Sequence, residues 1–212
     1  MGQINQGILG GFSGKVGTVV GSSWKNINYM RSLPRKSKKP ASLLQLQQQR
    51  KLATVINFLK PMTPLLRQGW KHYTKGRSAF NAATAHTIFS AISGEYPNYE
   101  INYEKVVISV GHLTPVEEPE VKINDGRLQV SWQDNSGTGN AQEKDKLLLA
   151  VINPDKSENM LVYDHVARVE AGFECSVSHW AGDTIHIYIG FISEDGKRVA
   201  TSRAICNVTV PN

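Results

Sequence analysis

The second half of this chain carries seven short β-rich runs at close, even spacing, and that spacing limits the possible folds most severely. The runs are residues 120–123, 127–132, 146–152, 160–166, 173–177, 184–192 and 199–210. Between them lie Asn124-Asp125-Gly126, the Asn- and Gly-rich stretch 135–140, Asn153-Pro154-Asp155 and Glu194-Asp195-Gly196. Gly and Asn reach positive φ and Pro fixes φ, so these clusters turn the chain. About seven strands in roughly 100 residues predict an antiparallel immunoglobulin-sized sandwich. The Cys…Trp…Cys spacing of antibody domains is missing, so a fibronectin-III-like variant is expected, with Trp132 in its core.

Upstream the pattern differs. Residues 1–40 form a Gly-rich arm in which 15–20 and 24–30 are β-prone. With Gly21-Ser22-Ser23 as the turn they read as a hairpin, a structure only marginally stable alone. The arm ends in LPRKSKKP (33–40), a basic linker bracketed by Pro34 and Pro40. Residues 41–94 read as helical. Ser42 is a candidate N-cap, and Leu52, Val55, Ile56 and Leu59 share one face before Pro61 stops the helix. Thr63-Pro64 starts a short helix through Tyr73. Ser78 opens a third, with Ala85, Ile88, Phe89 and Ile92 on one face and Gly94 past its end. Residues 99–110 then read as one long strand whose alternation slips between Tyr103 and Val106, as at a β-bulge. The expected class is α+β: an arm and linker over 1–40, a helical region with closing strand over 41–115, and the sandwich over 116–212.

Charge divides the chain. Residues 1–110 hold 15 Lys and Arg against three acids, Glu95, Glu100 and Glu104. Residues 111–212 hold nine against 15, which leaves the whole at +6. A leading segment so depleted of acid suits a phosphate-bearing or acidic partner. Two cysteines, Cys175 and Cys206, are too few for a disulfide scaffold. The first residues lack a charged region followed by an apolar stretch, so synthesis in the cytoplasm without a secretory leader is expected. No apolar run reaches the length of a membrane span.

Known chemistry finds no foothold. A phosphate loop ending at Gly14-Lys15 would need Gly at position 9 and Ser or Thr at 16, where the chain has Leu9 and Val16. Gly11-Phe12-Ser13-Gly14 is one residue short of a nucleophile elbow. Cys175, His179, Asp183, His186 and Cys206 gather potential ligands without any zinc spacing. No catalytic residue, cofactor or metal is therefore assigned, and a non-enzymatic role is expected. The candidate site for assembly or polyanion binding is Lys15, Trp24, Lys25, Tyr29, Arg31, Arg35, Lys36, Lys38, Lys39, Arg50 and Lys51. Three readings compete for it. The first is a structural subunit, a phage virion part or polymerising filament, whose arm docks head-to-tail on the acidic sandwich of another copy or another subunit. The second is a nucleic-acid-associated protein using residues 24–51. The third is a surface or carbohydrate-binding module.

The stretches GGFSGKVGTVVGSSWKNINYMRSLP (10–34) and FNAATAHTIFSAISGEYPNYEINYEKVVISVGHL (80–113) resemble a Bacteroidota family described only as domain of unknown function 6266. That resemblance spans nearly the whole chain. It implies a bacterial or bacteriophage origin, and brings no activity, cofactor or site residue.

Overall fold

The computed structural model describes every residue except Met1, Asn5, Gln6, Ile8, Leu9, Lys25, Asn26, Lys36, Ser37, Lys38 and Asn212. The chain divides into two compact units, residues 1–43 and 44–212.

The first unit is a four-stranded antiparallel sheet in the order β1-β2-β3-β4, formed by Gln3–Ile4, Phe12–Val16, Val19–Trp24 and Ile27–Ser32. The expected hairpin turn at Gly21-Ser22-Ser23 is corrected: these residues lie inside β3. The chain turns earlier, at Gly17-Thr18, where Gly17 takes a φ of +58° at no steric cost. Gly21 is a glycine for a different reason, since a Cβ there would meet the Phe12 carbonyl and ring lying across β3. The second turn, between Trp24 and Ile27, lies outside the described residues.

The second unit begins with three helices. Helix α1, Leu43–Leu59, buries Val55 and Leu59 but leaves Leu52 exposed, so only part of the expected stripe faces inward. A 3-10 turn, Lys60–Met62, carries Pro61 and leads into α2, Thr63–Gly69. Thr63 is not the cap expected of it: it is already helical, and its hydroxyl donates to the Lys60 carbonyl at 2.6 Å. A second 3-10 turn spans Lys71–Tyr73. Ser78 does cap α3, Ala79–Ser90, its hydroxyl accepting from the Asn81 amide at 3.1 Å. The buried face of α3 is Ala79, Ala82, Ala83, Thr84 and Thr87, while Phe89 is 91% exposed. The expected Ile88–Phe89 stripe is thus rotated, because small residues let α3 approach α2 closely.

The helix ends earlier than expected, since Ile92–Glu95 is strand β5, paired antiparallel with β6, Asn98–Ile101. The long strand expected over 99–110 is likewise corrected. After β6 come a 3-10 turn, Tyr103–Lys105, and an extended crossing whose amides find distant partners. Ser202 Oγ accepts from Ile108 N at 3.0 Å, Val110 N donates to the Gly69 carbonyl at 3.0 Å, and Leu113 N to Val199 at 3.0 Å. No neighbouring strand is needed once those groups are satisfied.

Seven strands follow: β7, Glu117–Asn124; β8, Arg127–Gln133; β9, Lys146–Asn153; β10, Glu158–Ala167; β11, Gly172–Ser176; β12, Thr184–Ile192; and β13, Arg203–Thr209. They form a three-stranded sheet, β11-β8-β7, and a four-stranded sheet, β10-β9-β12-β13. The two sheets enclose Leu128, Val130 and Trp132 from one side and Leu147, Leu149, Val151, Ile185, Ile187, Ile189 and Phe191 from the other. The strand after β9 pairs back onto β9, whereas a constant immunoglobulin domain places its fourth strand on the opposite sheet. The fold class is therefore α+β with a fibronectin-III-like sandwich, as the run of turn-bounded strands predicts.

The outer face of the four-stranded sheet is covered too. Ala150, Ile152 and Tyr188 pack with Val55, Leu59, Met62, Leu65, Leu66 and Trp70 of the helical layer. This explains why β9 and β12 read as unbroken apolar runs: both of their faces are buried. Where the 106–113 crossing passes over this sheet, Gly190 leaves room for Ser109, whose hydroxyl donates to the Ala200 carbonyl at 2.8 Å.

Arg168 closes the end of the sandwich although it is wholly buried. Its Nε donates to Asp145 Oδ2 at 3.2 Å, Nη1 to Asn135 Oδ1 at 2.6 Å and Nη2 to the Thr114 carbonyl at 3.0 Å. The guanidinium lies 4.0 Å from the centre of the Phe191 ring. Burial works to lower its pKa, and the Asp145 carboxylate opposes that shift.

Candidate functional site

Strand register sorts the side chains of the N-terminal sheet onto two faces. Gly14 pairs with Gly21, Gly21 with Met30, Val16 with Val19, and Ile4 with Phe12. Because alternate residues share a face, Ile4, Phe12, Gly14, Val16, Val19, Gly21 and Met30 form one side. Ser23, Asn28 and Ser32 complete it, so this face carries no charged side chain among the described residues. On the other side Lys15 pairs with Val20, Val20 with Arg31, Ser22 with Tyr29, and Trp24 with Ile27. Cations thus stand at one end of this second face and aromatic rings toward the other.

Among the described residues neither face gathers a hydrophobic core. No described residue of this unit belongs to a buried hydrophobic cluster, and Ile4, Val16, Trp24, Ile27, Tyr29 and Met30 are all exposed. A sheet gains stability by burying at least one face against a second layer.

Of the candidate site residues, the sheet brings Lys15, Trp24, Tyr29 and Arg31 onto its cationic face. Trp24 shares that face with Tyr29, whereas simple alternation along 24–30 places the two on opposite sides. The chain reverses between Trp24 and Ile27, and that reversal resets the phase. Arg35 and Lys39 are exposed beyond β4. Lys25, Lys36 and Lys38 lie outside the described residues. Arg50 and Lys51 belong to α1 in the other unit, where both are engaged. Arg50 Nε donates to the Pro97 carbonyl at 3.3 Å, and the Lys51 ammonium sits 5.0 Å from the centre of the Tyr99 ring.

The remaining chemistry is subdued. Burial pushes the Cys175 thiol up to about 11 and also raises that of Cys206, which disfavours the thiolate at both positions. Asp183 accepts from Lys156 at 2.9 Å and from Asn153 at 2.7 Å, and these two bonds lower its pKa. Among the described residues no three His, Cys, Asp or Glu side chains converge as metal ligands. His186 instead stacks on Tyr103, ring centres 3.9 Å apart. A cleft of about 240 Å³ lies between Phe58, Tyr103 and the β9–β10 turn. No helix among the described residues is long and apolar enough to cross a membrane.

Fold and surface together define an α+β protein in which a fibronectin-III-like sandwich, roofed by helices, follows a sheet whose described residues form no buried core. The chain belongs to a family described as Family of unknown function (DUF6266), whose model matches residues 11–206. No curated protein matches it. Among solved structures it is similar to the fn3 domain of human collagen alpha-1(XX) chain, at 11% identity and a TM-score of 0.38. That match covers 49% of this chain and 91% of the other.

Proposed function

We propose that this chain is a non-enzymatic structural subunit that joins to further copies of itself through its N-terminal sheet. The observation that carries the reading is the uncharged face of Ile4, Phe12, Val16, Val19 and Met30, on which Ile4, Val16 and Met30 are exposed, Met30 to 71%. A flat apolar sheet face is stabilised when a second sheet packs about 10 Å away. A second copy supplies such a face without bringing like charges together, since Lys15 and Arg31 project from the opposite side. The contact is then isologous, with each copy offering the same patch. Head-to-tail docking of the basic arm on a neighbour's acidic half fits less well, because it leaves the uncharged face in water. Incorporation into a larger filament or virion is the wider form of the same reading, requiring one further contact.

Light scattering and negative-stain microscopy of the full chain test it. Dimers or larger species are expected, and Val16→Asp with Met30→Asp should yield monomers whose sandwich unfolds at the wild-type midpoint. A wild-type protein that stays monomeric across concentration and salt removes the proposal.

A further inference from the structure

The opposite face of the same sheet carries different chemistry. We infer that it is a platform for single-stranded nucleic acid, with Lys15 and Arg31 meeting phosphates and Trp24 and Tyr29 stacking on bases. Register places Lys15, Val20 and Arg31 in one row, Ser22 and Tyr29 in the next, and Trp24 with Ile27 in the last. With strands about 4.8 Å apart and about 3.4 Å of rise per residue, these groups fall within roughly 14 Å by 10 Å. Trp24 and Tyr29 are diagonal neighbours, about 7–8 Å apart at the backbone, so each ring accepts its own base. They are 61% and 42% exposed.

The charge around them has one sign. Residues 1–43 contain seven Lys and Arg and no Asp or Glu. Cations bring in any polyanion, but only a strand with unstacked bases also rewards the rings, and a duplex offers phosphate alone. Cation and aromatic ring on one exposed sheet face therefore point to the single-stranded form. Because the two faces are opposite sides of one sheet, this site is separate from the self-association surface.

The chain contains its own reporter. Of its four tryptophans, Trp70, Trp132 and Trp180 are buried, so Trp24 is the one that a ligand reaches. The full-length protein would be titrated with a labelled oligo(dT) of about 20 nucleotides at low salt, following anisotropy and tryptophan emission. Saturable binding with quenched emission is expected. Trp24→Ala or Tyr29→Ala should weaken binding roughly 5- to 150-fold, while Trp24→Phe should retain most of it. Lys15→Ala with Arg31→Ala should lower the log–log salt slope by about 1.4, that is about 0.7 per lost phosphate contact. These variants should keep the assembly size of the wild type, which separates failure of this inference from failure of self-association. Three results would overturn it: no binding at low salt; equal binding of inorganic polyphosphate with no effect of Trp24→Ala; or an emission shift produced by anionic-lipid vesicles and not by the oligonucleotide.

Discussion

Arg168→Ala is expected to destabilise the second unit by about 3–5 kcal/mol, the usual cost of stranding one partner of a buried ion pair. Both members of the Arg168–Asp145 pair are fully buried. Without the guanidinium, Asp145 Oδ2 keeps the Gln142 amide at 2.9 Å, and Oδ1 has no partner among the described residues. The Thr114 carbonyl and Asn135 Oδ1 lose their donor in the same stroke. Thr114 lies on the stretch that joins the helical layer to the sandwich and Asn135 on the loop between β8 and β9, so the damage reaches beyond one side chain. Urea unfolding followed by tryptophan fluorescence measures the loss. The double change Arg168→Met with Asp145→Leu should recover much of it, because an apolar pair of similar volume avoids the cost of burying charge. A single-variant loss under about 1 kcal/mol would show that the network is not what holds this end of the sandwich.

Tyr188→Ala should cost a comparable amount, about 3–5 kcal/mol, the range for truncating a large buried aromatic. Tyr188 is fully buried on the outer face of β12 and packs with the helical layer. Its hydroxyl donates to the Tyr103 carbonyl at 2.8 Å, on the turn that brings the chain down from β6. Tyr188→Phe removes only that bond and should cost about 1 kcal/mol. The difference between the two variants in the same unfolding experiment isolates the packing contribution. Equal losses would mean that the hydrogen bond, and not the ring, joins the layers.

What the sequence reveals here depends on how local the determining interaction is. The strand from Arg127 to Gln133 alternates buried and exposed without a break, and its neighbours are set off by Asn-Asp-Gly and Asn-Pro-Asp turns. That much is written in a few adjacent residues. The crossing at 106–113 is different. Its apolar residues look like a strand, but its partners are Gly69, Val199 and Ser202, up to 94 residues away. The face of α3 was obscured for a related reason: its alanines pack inward while Phe89 points out, and hydrophobicity alone ranks them the other way round. In the candidate site the residue types were legible and their grouping was not. Whether Trp24 and Tyr29 share a face depends on where the chain reverses, and Gly17 and Gly21 look equally suited to a turn. The positive φ of Gly17 and the Phe12 carbonyl and ring over Gly21 separate them.

The central pair of strands, β9 and β12, lies beneath a sheet on one side and helices on the other. For a backbone amide in that position, no local opening gives access to solvent. Hydrogen exchange there must await opening of the whole unit, which makes this pair the slowest-exchanging part of the molecule. The N-terminal sheet stands at the other extreme. None of its described residues joins a buried hydrophobic cluster, so its amides rely chiefly on their own ladder until a partner covers them. The protein thus carries its most and least protected β-structure in a single chain, one settled by its own interior and the other left for its surroundings to settle.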